Sequence, residues 1–484
     1  MNTPSTSLGK RRPNILLFLT DDHGPWSLPV YGNSEMGTPV FSRLAREGAV
    51  FENAFTPSPV CSPARACVMT GRTPSQVGLH DFLQEFVDEV GARDWLADEE
   101  TMPALLRASG YHTMLSGKWH MGSRGRAPRG FDRAFGFIGR QGTHNGSYTY
   151  HLDGVPLPVE GNKSRIVTDR ALEFLDAAPD DRPFFLNIGY IATHSPWLPE
   201  HHEPEVLAKT EGMTFADIPD LRPHPWLTDG GEGAFCAPGA TRADLLKRAR
   251  GYYAAVHELD REIGRVLAGL EHRGLLDNTI VVYVSDHGCA IGHNGFAGKG
   301  NATRPLNMCD ISTRVPLIVR GPGIAAGLRI PYLVDHYDLF RAVMEWSGAA
   351  WNDGADRPGG GNPGRSLAPL AAGRDDPGRS DAVYGEYGDL RMIRTATHKL
   401  VLRHPAGPHE LFDLVRDPGE TFNFAGWAEY KTLQAGLSDR LAAWYRSHED
   451  PAKSGLRVKD LPAHGSASEA WRDGRREARG LQVY

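Results

Sequence analysis

The chain has 484 residues, of which 40% are hydrophobic and 23% are charged, a composition typical of a soluble globular protein. This length allows a large hydrophobic core and two domains. The formal net charge of -6 gives no basis for binding nucleic acid or an anionic membrane. Five cysteines without a CxxC pair argue against a disulfide framework and against a structural zinc site.

The N-terminal segment shares some features with a secretory leader. Basic residues at positions 10–12 precede the apolar run Ile15–Leu19, but this run is shorter than the core of a signal peptide and ends at Asp21. We interpret Ile15–Leu19 as a buried first strand that follows a flexible N-terminus of residues 1–12. Because no run approaches the ~20 apolar residues of a membrane span, the expected location is cytoplasmic.

Strands and helices alternate along most of the chain. Short apolar runs predict buried parallel strands at Ile15–Leu19, Phe184–Gly189, Ile280–Val284 and Pro316–Val319. Before the third of these, apolar residues at helical spacing from Val256 to Leu270 predict an amphipathic helix that ends near Gly274. This alternation predicts an α/β fold with a mostly parallel central sheet and helices on both faces.

The composition changes near residue 351. Two stretches rich in Gly, Pro and Asp, residues 352–365 and 372–381, predict a linker or surface loop. Short antiparallel strands and one helix are then predicted at Ala382–Tyr387, Arg391–Arg394, Lys399–Leu402 and Leu433–Trp444. We therefore expect a catalytic domain of residues 13–371 and a small C-terminal α+β domain of residues 382–484.

Polar residues follow three of the predicted strands. Asp21 and Asp22 follow the first, His194 lies in the loop after the second, and Asp286 and His287 follow the third. Ligands bind beyond the carboxyl ends of the strands in open α/β sheets. Adjacent carboxylates repel each other unless a cation neutralises them, and oxygen ligands suit calcium or magnesium. Taken singly, each of these clusters is also compatible with a solvated turn.

The most informative stretch is Cys61-Ser62-Pro63-Ala64-Arg65. Pro63 is compatible with the first turn of a helix, which would place Cys61 at or near a helix N-terminus, where negative charge is favoured. Arg65 cannot lose its proton and is a fixed positive donor. As an ordinary thiol, Cys61 would be a buried and inert residue.

Further basic groups stand in two glycine-flanked segments. Lys118 and His120, within Gly117–Gly122, would point to the same side of an extended segment and so suit an anionic ester in its transition state. Lys299 lies between Gly298 and Gly300. His80 and His144 have no supporting motif, and both pocket-lining and structural roles stay open for them.

Together these motifs resemble the type I sulfatases of the alkaline phosphatase-like superfamily, over about Pro13 to Asn423. The resemblance implies that superfamily's α/β fold with a smaller C-terminal domain. It also implies that Cys61 is oxidised after synthesis to formylglycine, whose hydrated aldehyde is the nucleophile of the family. The implied partner is then a formylglycine-generating enzyme that acts on Cys61.

The resemblance also implies roles for the other residues. One divalent cation, Ca²⁺ or alternatively Mg²⁺ or another divalent metal, would be held by Asp21, Asp22, Cys61 (as formylglycine), Asp286 and His287. The nitrogen of the histidine is a less typical calcium ligand than an amide oxygen. The implied catalytic residues are Cys61, Arg65, Lys118, His120, His194 and Lys299.

The resulting prediction is a sulfuric ester hydrolase, or sulfatase, that cleaves an aryl or carbohydrate sulfate. In the implied mechanism, one hydroxyl of the hydrated aldehyde attacks sulfur and the second allows sulfate to be released. Two alternatives stay open. One is a phosphonate monoester or phosphodiester hydrolase that uses the same formylglycine, and the other is a catalytically silent anion-binding protein with an unmodified Cys61.

Overall fold

The computed structural model describes residues 12–138, 143–220, 222–227, 236, 239–465 and 470–471. Residues 1–11 of the predicted flexible N-terminus lie outside this part of the chain. The predicted division into residues 13–371 and 382–484 stays a prediction. The elements below are numbered in chain order.

Within the described residues, the strands belong to one large sheet and two smaller ones. They are β1 (Asn14–Thr20), β2 (Ala49–Phe55), β3 (His112–Gly117), β4 (Arg133–Ile138), β5 (Asn145–Leu152), β6 (Val155–Asn162), β7 (Phe184–Gly189), β8 (Thr279–Ser285), β9 (Ala290–Ile291), β10 (Ala297–Gly298), β11 (Arg314–Arg320), β12 (Leu328–Asp335), β13 (Ala382–Tyr387), β14 (Leu390–Thr395), β15 (His398–Arg403) and β16 (Glu410–Asp413).

The helices lie mostly between the strands of the large sheet. They are α1 (Pro39–Glu47), α2 (Cys61–Thr70), α3 (Pro74–Val77), α4 (Asp88–Ala92), α5 (Met102–Ala108), α6 (Lys163–Asp176), α7 (Pro204–Ala208), α8 (Arg242–His272), α9 (Asp310–Thr313), α10 (His336–Ser347), α11 (Ala368–Ala371) and α12 (Lys431–Ser447). Short 3₁₀ helices occupy Pro25–Ser27, Pro29–Tyr31, Pro199–His201, Leu276–Asn278, His293–Gly295, Gly300–Ala302, Ala428–Tyr430 and Gly455–Arg457.

The large sheet has ten strands in the order β12-β2-β11-β8-β1-β7-β3-β4-β5-β6. The five strands β8, β1, β7, β3 and β4 in its middle run parallel to their neighbours in that group. Alternate residues of β1 pack on opposite faces, because successive side chains of a strand point to opposite sides. Leu17 packs with α2, α5 and α10, whereas Leu16 packs with α1, α6 and α8. The predicted α/β fold is confirmed.

One predicted parallel strand has the opposite direction. Pro316–Val319 forms part of β11, which pairs antiparallel with both β8 and β2. The chain leaves β8 at the carboxyl edge of the sheet, and α9 leads directly into β11 from that same edge. A parallel neighbour would need a crossover back to the opposite edge. The long loop from Asp286 to Thr313 therefore both starts and ends beside the carboxyl ends of the parallel strands.

The predicted amphipathic helix is confirmed within α8, and the helix is longer than expected. It has 31 residues and begins with a capping box in which Thr241 and Asp244 bond each other's backbone. The predicted apolar stripe from Val256 to Leu270 is buried against the sheet. Gly274 follows with a φ of 65°, in the left-handed region where glycine is favoured. In the described parts of the chain, neither α8 nor another helix is both long and apolar enough to cross a membrane.

The C-terminal part of the chain forms the predicted antiparallel sheet. Its strand order is β13-β14-β15-β16, and α12 covers one face with Leu437, Leu441 and Tyr445 buried. The predicted helix Leu433–Trp444 thus lies within α12. This sheet is joined to the N-terminal part by buried charged groups, among them Lys399, whose Nζ donates a 2.9 Å hydrogen bond to the carbonyl oxygen of Met308.

Glu386 of β13 makes a second connection of this kind. Its Oε1 accepts a hydrogen bond from the backbone N–H of Ser75 at 2.7 Å, and its Oε2 accepts one from the Ser75 hydroxyl at 2.6 Å. Burial raises the pKa of Glu386 to about 7, although Arg391 and Ser75 act in the opposite direction. A carboxyl that holds its proton to this pH makes the free energy of unfolding depend on pH.

We expect Glu386→Gln to remove part of that dependence. Between pH 4.5, the ordinary pKa of a glutamate, and about pH 7, the folded protein keeps the proton of Glu386 while the unfolded chain loses it. The free energy of unfolding therefore falls as the pH rises, by up to about 3 kcal/mol from this group. Urea unfolding at pH 5 and pH 7.5 should show a smaller fall for Glu386→Gln. An equal fall in both proteins would contradict the prediction, and Glu429→Gln, at an exposed carboxyl, is the control.

Candidate active site

The residues singled out in the sequence meet at the carboxyl edge of the parallel strands. Asp21 and Asp22 follow β1, Lys118 follows β3, and the loop with His194 comes after β7. Asp286 and His287 follow β8, and Cys61 and Lys299 reach the same place from α2 and from the loop between β8 and β11. All of these side chains are buried or half-buried.

Cys61 is the first residue of α2, as Pro63 in its first turn predicts. The preceding residue, Val60, is extended and its side chain does not cap the helix. The partial positive charge of a helix N-terminus therefore lies at Cys61 and favours negative charge there. Cys61 itself is only 2% exposed.

The Cys61 sulfur is surrounded by charged side chains. Lys299 Nζ donates a hydrogen bond to Sγ at 3.1 Å, His287 Nε2 lies 3.4 Å from Sγ, and Asp21 Oδ1 lies 3.3 Å from it. Burial by itself would raise the pKa of the thiol. The positive charges of Lys118, Lys299 and His287 outweigh burial and hold this pKa well below its usual value. The environment of Cys61 thus stabilises an anion.

Three carboxylates gather beside the sulfur. Ligand atoms of Asp21, Cys61, Asp286 and His287 all lie within 4.8 Å of one another, and Asp21, Asp22 and His194 form an overlapping group. Burial and the nearby Asp21 raise the pKa of Asp286 to about 6. Among the described residues, Asp22 Oδ2 is buried without a hydrogen-bond partner. An orphaned carboxylate oxygen among hard oxygen donors fits a divalent cation.

Two lysines lie on these carboxylates. Lys118 Nζ forms an ion pair with Asp21, and Lys299 Nζ donates to Asp22 Oδ1 at 2.7 Å. Burial opposes the charge on Lys299, but Asp22 and Cys61 raise its pKa well above the usual value. Lys299 is therefore held as a cation next to the sulfur, and the ion pair with Asp21 fixes Lys118 nearby.

Arg65 connects three chain segments around the site. Its Nε donates to Asp286 Oδ2 at 2.8 Å, its Nη1 to the carbonyl oxygen of Lys118 at 3.0 Å, and its Nη2 to that of Thr20 at 3.3 Å. The side chain is fully buried. These bonds fix the ends of β1 and β3 relative to Asp286, so Arg65 positions the site besides adding positive charge to it.

His120 and His194 lie in the loops after β3 and β7. The segment after β3 is not extended, because His120 has a φ of 63°, so the expected strand-like arrangement of Lys118 and His120 is wrong. Nevertheless the side chains of Lys118 and His120 both lower the pKa of Cys61. Burial disfavours the charged form of His194, but Asp22 outweighs it and raises the pKa of His194 to about 9.

The backbone at Asp21 and Asp22 is held by residues without a sequence signal. The N–H of Thr193 donates to the carbonyl oxygen of Asp21 at 2.8 Å, and its hydroxyl donates to that of Asp22 at 2.8 Å. Tyr252 of α8 donates its hydroxyl to the carbonyl oxygen of Asp22 at 2.9 Å. These bonds stabilise Asp22 at a φ of 60°, a strained conformation for a residue with a side chain.

A family model described as Sulfatase matches residues 13–349 of the chain. The chain belongs to the sulfatase family. This confirms the resemblance inferred from the Cys61 motif, and membership makes the protein a hydrolase of sulfate esters.

Individual sulfatases are similar along most of the chain. An N-acetylglucosamine-6-O-sulfatase of Bacteroides thetaiotaomicron is 27% identical, over 91% of this chain and 87% of that protein. A choline-sulfatase of Rhizobium meliloti is also 27% identical, over 90% and 87% of the two chains. A solved structure in complex with its substrate D-glucosamine-2-N,6-O-disulfate superposes with a TM-score of 0.77 and 25% identity, covering 91% of this chain and 99% of the other.

The same fold occurs in a phosphonate monoester hydrolase. The phosphonate monoester hydrolase of Agrobacterium radiobacter superposes with a TM-score of 0.68 and 21% identity, over 91% of this chain and 97% of that one. At this identity the likeness extends to the fold alone. The chemistry of this sulfatase has to be argued from its own side chains.

Proposed function

We propose that this sulfatase is formylglycine-dependent and cleaves an aryl or carbohydrate sulfate with the aid of a divalent cation. The observation that supports it best is the position of Cys61, at the start of α2 and within 3.1–3.4 Å of Lys299, Asp21 and His287. An attacking group and the charges that a sulfate ester needs are thus held in one buried place.

Cys61 would enter the reaction in its oxidised form. Formylglycine, once hydrated, supplies an oxygen nucleophile with a second hydroxyl, which a thiol or serine lacks. The proposed partner for this oxidation is a formylglycine-generating enzyme. The helix N-terminus and the neighbouring lysines would favour the ionised form of an oxygen at position 61, just as they favour the thiolate.

Asp21, Asp22, Asp286 and His287, together with position 61, would hold the cation. A divalent cation bound there supplies Lewis-acid polarisation and offsets the charge of the carboxylates. Three carboxylates fit Ca²⁺ best and are compatible with Mg²⁺. Arg65 fixes the orientation of Asp286 through the bond from its Nε.

The sulfate oxygens would be bound by Lys118 and Lys299. Both ammonium groups face the Cys61 sulfur and each pairs with one carboxylate, so neither is free to move away. Negative charge that develops on the transferred group is stabilised most by cations already held in place. The positive charge of Arg65 adds to this field.

Two histidines would carry the protons. His194, with a pKa raised to about 9, is protonated at neutral pH and can donate a proton to the departing alcohol. His120 Nε2 lies 2.8 Å from the carbonyl oxygen of Leu83, which orients the ring. Its other nitrogen can accept a proton from the group at position 61 when sulfate is released.

The substrate class follows from the relatives as a proposal. Two of the similar proteins are named as sulfatases of N-acetylglucosamine 6-sulfate and of choline sulfate, and one solved structure holds a sulfated glucosamine. We favour a carbohydrate or aryl sulfate over a phosphonate monoester, since the family match is to sulfatases.

Parallel assays test this choice. We expect the modified protein to hydrolyse 4-nitrophenyl sulfate and glucosamine 6-sulfate with a higher kcat/KM than a phenyl phosphonate monoester. In both the sulfate and the phosphonate ester the transferred group carries one negative charge and the leaving oxygen takes up a proton. Lys118 and His194 suit both esters, so a weaker phosphonate activity is compatible with the proposal. A phosphonate activity that exceeds all sulfate activities would contradict it.

A further inference from the structure

A second group of buried polar side chains lies next to the proposed active site. We call it the α6 cluster; its members are His144, Asn162, Lys163, His202 and Glu258. They come from β6, the start of α6, the middle of α8 and two loops. The mechanism above uses none of them.

The α6 cluster lies at the same edge of the sheet as Cys61. The hydroxyl of Ser116, near the end of β3, donates to the carbonyl oxygen of Val167 in α6 at 2.7 Å. Because α6 leads into the parallel strand β7, its first turn points toward the carboxyl edge. Lys163 is one turn before Val167, about 6 Å further along that direction, which is also where β3 continues into Lys118. The positive charge of Lys118 accordingly acts on Lys163.

Lys163 is buried but unpaired. The residue is only 2% exposed, and its Nζ has no hydrogen-bond partner among the described residues. Instead, Nζ lies over the rings of Phe137 and Tyr148, 4.8 Å and 4.5 Å from their centroids. Ring contacts do not replace the three hydrogen bonds that an ammonium makes in water.

The neighbouring histidines are also incompletely paired. His144 accepts a hydrogen bond at its carbonyl oxygen from the N–H of Lys163 at 3.0 Å, and its ring stacks on that of His202 with the centroids 5.2 Å apart. Within the described parts of the chain, Nε2 of each ring has no partner. The atoms of Lys163, His144 and His202 that lack a hydrogen-bond partner therefore belong to one ammonium group and two imidazole rings.

The one carboxylate of the cluster is paired through one of its two oxygens, while Oε1 has no hydrogen-bond partner among the described residues. Glu258 Oε2 accepts a 2.8 Å hydrogen bond from Asn162 Nδ2, and His202 Nδ1 lies 3.6 Å away. Burial works against its charge, yet His202 and His144 hold the pKa of Glu258 at about 2. Lys163 has no such anion beside it, and burial together with Lys118 lowers its pKa to about 7. An anion that enters the cluster would restore the ammonium.

We propose that Lys163, with His144 and His202 beside it, binds a second anionic group on the alcohol part of the sulfate ester. The substrates would then carry a carboxylate or another sulfate in addition to the sulfate that is cleaved. This inference rests on the proposed sulfatase reaction and names the substrate class of the same site. An acidic saccharide or a multiply sulfated one has the required chemistry.

Three esters with one scaffold test the inference. Phenyl sulfate has no second anion, 4-sulfooxybenzoate adds a carboxylate, and 1,4-phenylene disulfate adds a sulfate. The readout is the ratio of kcat/KM for each anionic ester to that for phenyl sulfate. Lys163→Met should lower this ratio at least about tenfold for the ester whose anion it binds, because a buried charged hydrogen bond is lost. Lys163→Arg should keep most of it.

Comparing the two anionic esters shows whether the second anion is a carboxylate or a sulfate. Lys247→Met is the matched control. Lys247 lies on the outer face of α8, half-exposed and 3.2 Å from Glu200, so its loss should leave both ratios unchanged. Unchanged ratios in Lys163→Met, with phenyl sulfate still cleaved by the parent protein, would overturn the inference and leave the sulfatase reaction intact. If the parent protein cleaves none of the three esters, the proposed function itself is overturned.

A binding measurement distinguishes failure of this inference from failure of the proposed function. Cys61→Ala should bind 4-sulfooxybenzoate or 1,4-phenylene disulfate more tightly than phenyl sulfate, and Lys163→Met in that background should remove the difference. Equal affinities for all three esters in Cys61→Ala would overturn the inference without a catalytic assay.

Discussion

Replacing Cys61 by alanine is expected to lower kcat for sulfate ester hydrolysis by a factor of about 10⁴ or more, because the nucleophile is removed. Cys61→Ser should be nearly as inactive, since serine supplies one hydroxyl and cannot form the hydrated aldehyde. Both variants should keep the fold, as the side chain is small and the start of α2 is unchanged. The measurement is kcat with 4-nitrophenyl sulfate, beside circular dichroism and thermal melting.

Mass spectrometry of the peptide around Cys61 gives the matching chemical result. The active parent protein should contain an aldehyde at this position, and the fraction modified should track kcat. Cys67→Ala is the matched control: Cys67 lies in the same helix, buried, with its sulfur 4.0 Å from the Tyr337 hydroxyl. It should stay active. Full activity in a protein with only intact Cys61 would refute formylglycine as the nucleophile.

Chelation of divalent cations should have the second large effect. With EDTA we expect sulfate hydrolysis to stop and the melting temperature to fall, because Asp21, Asp22 and Asp286 are buried next to one another. Adding Ca²⁺ back at a thousandfold excess over its Kd should raise the free energy of unfolding by about 4 kcal/mol. The increase can be followed in the inactive Cys61→Ala protein, so that the readout does not depend on turnover.

Single carboxylate variants locate the effect. Asp22→Asn should weaken the response of the melting temperature to Ca²⁺ strongly, since Asp22 Oδ2 is buried without a hydrogen-bond partner among the described residues. Asp169→Asn, at a half-exposed carboxylate paired with Arg265, should respond as the parent does. A parent protein whose melting temperature and activity are insensitive to both EDTA and Ca²⁺ would refute the cation site.

Much of the fold could be predicted because its central strands are buried on both faces. β1, β7 and β8 read as continuous apolar runs, which few other elements do. The same reading failed for the direction of β11. A run such as Pro316–Val319 is equally apolar in both orientations, and the direction depends on which edge the preceding loop leaves from.

The centre of the site could be predicted because short motifs identify its residues, although Asp22 and Asp286 are far apart in the chain. Local geometry could not: the left-handed conformation of His120 and the bonds from Thr193 and Tyr252 depend on packing around each residue. The α6 cluster was missed for a related reason. His144, Lys163 and Glu258 come from separate segments with no common spacing, so only the folded chain brings them together.

The burial of Cys61 has a consequence for how active molecules arise in the cell. In the folded protein this residue is 2% exposed, between the start of α2 and the charged groups that contact its sulfur. Another enzyme has no access to it there, so under the proposed formylglycine mechanism the oxidation of Cys61 would have to happen while the chain is still being made or has not yet folded. The active fraction would then depend on the rate of Cys61 oxidation relative to the rate of folding. Slower synthesis or more of the oxidising enzyme should raise this fraction, and later treatment of the folded protein should not.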